Sequence, residues 1–144
     1  MSISYIGSTL GIVAGVPATE DVAGYGAQTH IEVGKVISIG EIGDTSEDIT
    51  FDLLKTGRRT RVNGVKDVGE VSVSMETDDA DAGQILLLAA ADTNTTQSFA
   101  ITDSDGVVKY FYGLVANLKD SERTASAYKG QTVVLRGQSG ITIG

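Results

Sequence analysis

The clearest alternation of apolar and polar positions runs from Glu70 to Glu76: Val71, Val73 and Met75 point to one side, Glu70, Ser72, Ser74 and Glu76 to the other. That period of two predicts a half-buried strand with its apolar side filling the core. Just after it the spacing becomes helical, with Ile85, Leu88 and Ala89 at i, i+3 and i+4 and with Leu86 and Leu87 widening the stripe. A helix is expected over residues 78–91. Asp78 or Asp79 caps its first amides, Asp81 adds negative charge at the positive end of the dipole, and Asp92, Thr93 and Asn94 end it. Ile85 and Leu88 should then sit at the centre of its buried face.

Elsewhere short apolar runs are broken by glycines, as in IEVGKVISIGEIG and YFYGLVANL, and 18 glycines against one proline fit many strands punctuated by turns and bulges. Strands are expected near His30 to Ile39, Ile49 to Leu54, Gly69 to Glu76, Ser98 to Thr102, Val107 to Leu118 and Gln131 to Gly137. Asp103-Ser104-Asp105-Gly106 joins two of them, because Asp-Gly tolerates the positive φ that a tight hairpin needs. The fold class is therefore mainly β: an antiparallel β-sandwich or barrel flanked by one α-helix. No repeat and no compositional break divides the chain, so residues 1–144 read as a single domain. Residues 1–28 and 138–144, rich in Gly, Ser and Thr, read as amino-terminal and carboxy-terminal arms.

Composition removes several chemistries. There is no cysteine, hence no disulfide and no thiolate nucleophile or ligand. The amino-terminal MSISYIGSTLGIVAGV lacks the basic start of a secretory signal and is too broken by Gly and Ser to span a membrane, so synthesis in the cytoplasm and no membrane binding are expected. A net charge of −8 disfavours a protein that grips nucleic acid through phosphates. Asp103 to Gly106 begins like a calcium loop, but Leu114 stands where the twelfth-position glutamate belongs. His30, the single histidine, lies near no serine and carboxylate pattern that would make a triad. Asp78, Asp79 and Asp81 already have a helix-start role. No catalytic residue, metal or cofactor is read from the chain.

Charge segregation is the feature left over. Lys55, Arg58, Arg59, Arg61 and Lys66 place five of the eleven cations in one Gly-bounded segment, while Glu41, Asp44, Glu47, Asp48 and Asp52 lie just upstream. Head-to-tail copies could meet acidic edge to basic edge there. The plainer reading is a solvated hairpin whose charges pair within the chain for little energy, and on charge alone that reading is favoured.

The middle of the chain resembles the major tail tube proteins of long-tailed, lambda-like bacteriophages and of related gene transfer agents. The resemblance rests on a long loop over 43–67 containing Arg61 and Asn63-Gly64, then Asp67-Val68-Gly69, the alternating Glu70 to Glu76, and the acidic helix start Asp78-Asp79-Ala80-Asp81-Ala82-Gly83-Gln84. The loop departs from the family pattern at Val62-Asn63, where an apolar residue and a proline are common. More loosely, the resemblance reaches the Gly106 hairpin and the segment from Gly137 to Gly144. It implies a structural virion tail protein that is not an enzyme, with copies in hexameric rings stacked through the 43–67 loop and the arms around a lumen for DNA in transit. Tape-measure, tail-terminator and tail-tip or baseplate proteins are the implied partners. Asp44, Glu47, Asp48, Lys55, Arg58, Arg59, Arg61 and Lys66 become candidates for the assembly interface. Glu70, Ser72, Ser74 and Glu76 become candidates for the lumen, where acidic side chains would repel passing phosphate. A reading from another class is a small β-sandwich recognition module that binds carbohydrate or protein through its loops.

Overall fold

The computed structural model describes residues 4–144. In chain order the elements are β1 (Thr9–Ala14), α1 (Val22–Gly26), β2 (Ile31–Val33), β3 (Val36–Ile39), β4 (Thr45–Leu53), β5 (Arg58–Asp67), β6 (Glu70–Glu76), α2 (Ala82–Thr93), β7 (Gln97–Thr102), β8 (Val108–Asp120), β9 (Gly130–Gly137) and β10 (Thr142–Ile143). One antiparallel sheet runs β2-β1-β7-β8-β9-β6-β3, with β10 added to β8, while β4 and β5 pair only with each other. The sheet must roll up. Its two edge strands, β2 and β3, are separated in sequence by Gly34 and Lys35 alone, and the three peptide units from Val33 to Val36 span at most about 11 Å. Lys35 takes a left-handed φ of 57° to make that turn. The expected strand from His30 to Ile39 is thus two strands that close a barrel-like sheet.

Alternation decides what fills the roll. Val71, Val73 and Met75 are buried, as their spacing predicts, and they meet Leu10, Ile12, Phe99, Phe111, Val133 and Leu135 in the interior. The β7–β8 hairpin turns where expected, with the Gly106 amide donating to the Asp103 carbonyl at 3.0 Å and Gly106 at φ 91°.

Helix α2 differs from expectation in start and in face. Asp81 is its N-cap, accepting from the Gln84 amide at 3.0 Å, so residues 78–81 form the turn before the helix. Leu87, Ala90, Gly83 and Gln84 are buried, whereas Ile85 is 50% and Leu88 38% exposed. The reason is local. A Cβ on Gly83 would lie 2.4 Å from the Glu32 carbonyl oxygen, so the helix rests directly on the β2 backbone there and the face carrying Gly83 and Leu87 is turned inward.

The terminal arms are also corrected. Of residues 1–28, positions 1–3 lie outside the described residues, but Thr9–Ala14 pairs with both β2 and β7 and places Leu10 and Ile12 in the core. Residues 22–26 form a second helix, whose N-cap Asp21 accepts from the Gly24 amide at 2.7 Å. Tyr25 of α1 stacks on Tyr110 with centroids 5.1 Å apart, covering the outer face of β8. At the other end β10 pairs with Lys109 and Tyr110, and the Gly144 amide donates to the Val108 carbonyl at 2.8 Å. Both arms are docked on the sheet.

Candidate functional site

The 43–67 segment is not an irregular loop. From Thr45 to Asp67 it is a two-stranded ribbon that leaves the sheet where β3 ends and returns where β6 begins. A bulge between Ser46 and Asp48 shifts the register, after which Ile49 faces Val62, Phe51 faces Thr60 and Leu53 faces Arg58 on one side of the ribbon. Asp48, Thr50 and Asp52 face Asn63, Arg61 and Arg59 on the other. The ribbon therefore has an apolar side and a charged side.

Three of the eight predicted interface charges, Asp48, Arg59 and Arg61, pair within the ribbon. Arg61 Nη1 donates to Asp48 Oδ2 at 2.8 Å and Arg59 Nε to Asp52 Oδ1 at 3.1 Å, all four side chains being largely exposed. Such pairs contribute about 0–1 kcal/mol each. Lys55 lies in the tip turn, Arg58 opens β5 on the apolar side, Glu47 sits in the bulge, Lys66 is opposite Ser46, and Asp44 just precedes β4. Over residues 43–67 acids and bases balance, so the chain's whole net charge of −8 lies outside that segment. The feature that charge reading missed is the apolar side: Ile49, Phe51, Leu53 and Val62 remain 43–46% exposed, and Leu54 at the tip is fully exposed. The signal was present as the alternation Ile49, Phe51, Leu53 against Thr50 and Asp52.

The structure brings Glu70, Ser72, Ser74 and Glu76 onto one face of β6, opposite the buried Val71, Val73 and Met75. On that face Ser72 neighbours Val134, Ser74 neighbours Thr132, and Glu70 receives a hydrogen bond from Arg136 Nε at 3.1 Å. One of the two carboxylates is thus paired with a guanidinium, and the centre of the face is small and neutral.

Among the described residues no three His, Cys, Asp or Glu side chains gather in a way that would hold a metal ion. Asp81, besides capping α2, accepts from the Gly34 amide at 2.9 Å, tying the helix to the β2–β3 turn. Gln84 does more. Its Nε2 donates to the carbonyls of Gly34 at 2.9 Å and Glu76 at 2.8 Å, and its Oε1 accepts from the Asp78 amide at 2.9 Å and from Gln131 Nε2 at 3.2 Å. His30 packs near Tyr110 with Nε2 3.3 Å from the Tyr25 carbonyl, and burial lowers its pKa. Tyr112 Oη donates to Glu20 Oε1 at 2.6 Å, and that acceptor raises the phenol's pKa. These contacts hold α1 and α2 in place.

What remains conspicuous is exposed apolar surface at two places: the ribbon before β6, and the outer side of α2 after it, where the exposed Leu88 and Ala89, beside the partly buried Ala91, Ala116 and Leu118, line a shallow cleft. A sequence search of curated proteins finds no match. Solved structures of similar fold include a chain of the tail of an empty GTA particle refined with C6 symmetry (TM-score 0.66, 11% identity, 83% of this chain and 90% of that one). Another comes from the sheath/tube terminator of an extracellular contractile injection system, PVC, in its extended state (TM-score 0.68, 8% identity, 100% and 97%). A third comes from the baseplate of the anti-feeding prophage, AFP (TM-score 0.65, 8% identity, 99% and 95%). At these identities the likeness is one of fold. The sequence itself goes further, because the lambda-like phage tail tube family matches residues 20–131, a span that includes α1, the amphipathic ribbon, the alternating β6 and the Asp81-capped helix. A rolled β-sheet with a projecting amphipathic ribbon is thus the form this sequence takes as a member of the lambda-like phage tail tube family.

Proposed function

We infer that this chain is the structural subunit of a phage-like tail tube and that its copies form hexameric rings, stacked around a lumen through which DNA passes. The observation that carries the reading is the family match over residues 20–131. The 45–67 ribbon, which packs on no other part of its own sheet as a strand and holds an apolar side open to solvent, supplies a surface for the adjacent ring. Tube, terminator and baseplate assemblies among the structurally similar proteins support tail-terminator and baseplate partners here; a tape-measure protein inside the tube belongs to the same reading and rests on the family match alone. The subunit's work is then architectural, and its place is the virion tail, after synthesis in the cytoplasm of a bacterial host. Electron microscopy of the purified, concentrated chain tests this: hollow tubes or stacked rings are expected. Monomer that persists across salt and concentration, and in the presence of a tail-tip complex, would overturn it.

The β6 face of Glu70, Ser72, Ser74 and Glu76 is our choice for the lumen wall. Its neutral centre offers phosphate no anchor, and the acidity of the chain outside the ribbon repels a polyanion. Glu70→Lys with Glu76→Lys should leave tubes intact and slow DNA ejection, the more so at low salt, because each added cation contributes a counterion-release attachment point. Ejection at the wild-type rate across a range of salt would place this face elsewhere.

A further inference from the structure

We propose that the receiving surface for the ribbon is the cleft between α2 and β8 on a second copy, so that the apolar side of one chain's β4–β5 ribbon seats on Leu88 and Leu118 of the next. The inference rests on the tail tube reading and adds to it the identity of the socket. Two observations select the cleft. The first is placement. The ribbon leaves from the amino end of β6 and α2 follows from its carboxyl end, so the two exposed apolar surfaces lie toward opposite ends of one rolled sheet. A contact joining opposite ends is heterologous and repeats without closing, as a stack requires.

The second observation is chemical fit. The cleft has an apolar floor, contributed by Leu88, Ala89, Ala91, Ala116 and Leu118, and two polar groups, Asp92 and Asn117. Asn117 adopts φ 52° where β8 slips register between Ala116 and Lys119, and this irregularity opens the strand beside the helix. The ribbon presents the complement: Ile49, Phe51 and Val62 as an apolar strip, with Arg58 on the same side next to Leu53. Asp92, exposed at the carboxyl end of α2, offers a counter-charge to the strip's cation Arg58, which forms no ion pair among the described residues. A larger groove beside β3, lined by Tyr5, Ile6, Ile37 and Ile39, is the competing socket. It borders Glu41 and Ile42, at the root of the ribbon itself. Mutual docking there would join like ends, an isologous contact that closes at a dimer.

The absence of native cysteine makes a direct test clean. Chains carrying Phe51→Cys alone are mixed with chains carrying Leu88→Cys alone or Leu118→Cys alone, wild-type chain is added as needed for tube formation, and the tubes are oxidised. A disulfide needs Cβ atoms about 3.5–4.5 Å apart, so a cross-linked heterodimer reports direct contact. We expect heterodimers with at least one cleft position and none when Phe51→Cys is mixed with Ile37→Cys. Tubes that form without a cleft cross-link, or that cross-link Phe51→Cys to Ile37→Cys, overturn the socket and leave the tail tube reading standing. Wild-type chain that never polymerises overturns both.

Discussion

A chain carrying Phe51→Asp and Val62→Asp is expected to fold as a soluble monomer and to form no tubes. Both side chains lie on the apolar side of the ribbon, away from the sheet core, so the substitution leaves that core intact and weakens packing only within the ribbon. Fully burying a side chain of this size contributes about 1.5–3 kcal/mol, and Ile49, Phe51, Leu53 and Val62 each keep a little under half of their surface exposed for a partner to cover. A docked ribbon therefore gains roughly 3–5 kcal/mol gross from these four residues. Two carboxylates in that strip remove about half of the gain and add the cost of desolvating unpaired charge. A net loss near 4 kcal/mol is about a thousandfold in each contact, and every ring in a stack repeats it. Sedimentation and electron microscopy read the assembly, while circular dichroism reads the fold. Normal tubes from this variant would show that the apolar side is not an assembly surface.

The same ribbon explains why its arginines are the weaker target. Arg59→Gln with Arg61→Gln breaks two exposed pairs that contribute little and should reduce polymerisation only slightly. Glutamate at these positions is a poor probe, because it would set like charges against Asp52 and Asp48 across the ribbon and disturb the hairpin itself.

What could be read from the sequence follows from which residues face a single environment. Val71, Val73 and Met75 alternate with polar neighbours on a strand buried on one side, and such a strand has one register that hides its apolar set. The Asp105-Gly106 turn is a backbone requirement and equally local. Helix α2 was legible as a helix but not in its rotation, since residues 85–91 are apolar without interruption and no stripe is singled out. Its rotation is set by contact at a distance, where Gly83 lets the helix touch β2. Strand β1 was hidden for a related reason. Gly11 breaks its alternation because the His30 side chain crosses over that position, leaving room of only 3.0 Å for a Cβ. The ribbon's charges were read in order along the chain, whereas their pairing depends on register across two strands.

Gln84 was invisible to sequence reasoning, since a glutamine in the first turn of a helix ordinarily faces water, and its replacement should be the most damaging single change to the subunit. It is 1% exposed and uses both ends of its amide. Gln84→Leu, close in size, leaves the Gly34 and Glu76 carbonyls, the Asp78 amide and Gln131 Nε2 without the partner they now have. A buried polar group stranded in this way costs about 1–3 kcal/mol. Asp78 and Gly34 lie beside partly open turns where water can replace the lost bond, so the total expected is about 3–5 kcal/mol, or a fall in Tm of roughly 10–20 °C for a chain of this length. The four partners belong to the β2–β3 turn, the end of β6, the turn before α2 and β9, so their release loosens the end of the roll where the sheet closes. Gln84→Glu separates hydrogen bonding from shape: it keeps the acceptor for Asp78 and Gln131 but loses both donations to carbonyl oxygens, and it should be destabilised at pH 7 and recover part of the loss as acid restores a carboxyl proton able to donate one of them. Thermal unfolding of both variants checks this, and a Gln84→Leu subunit as stable as wild type would mean that packing alone closes the roll.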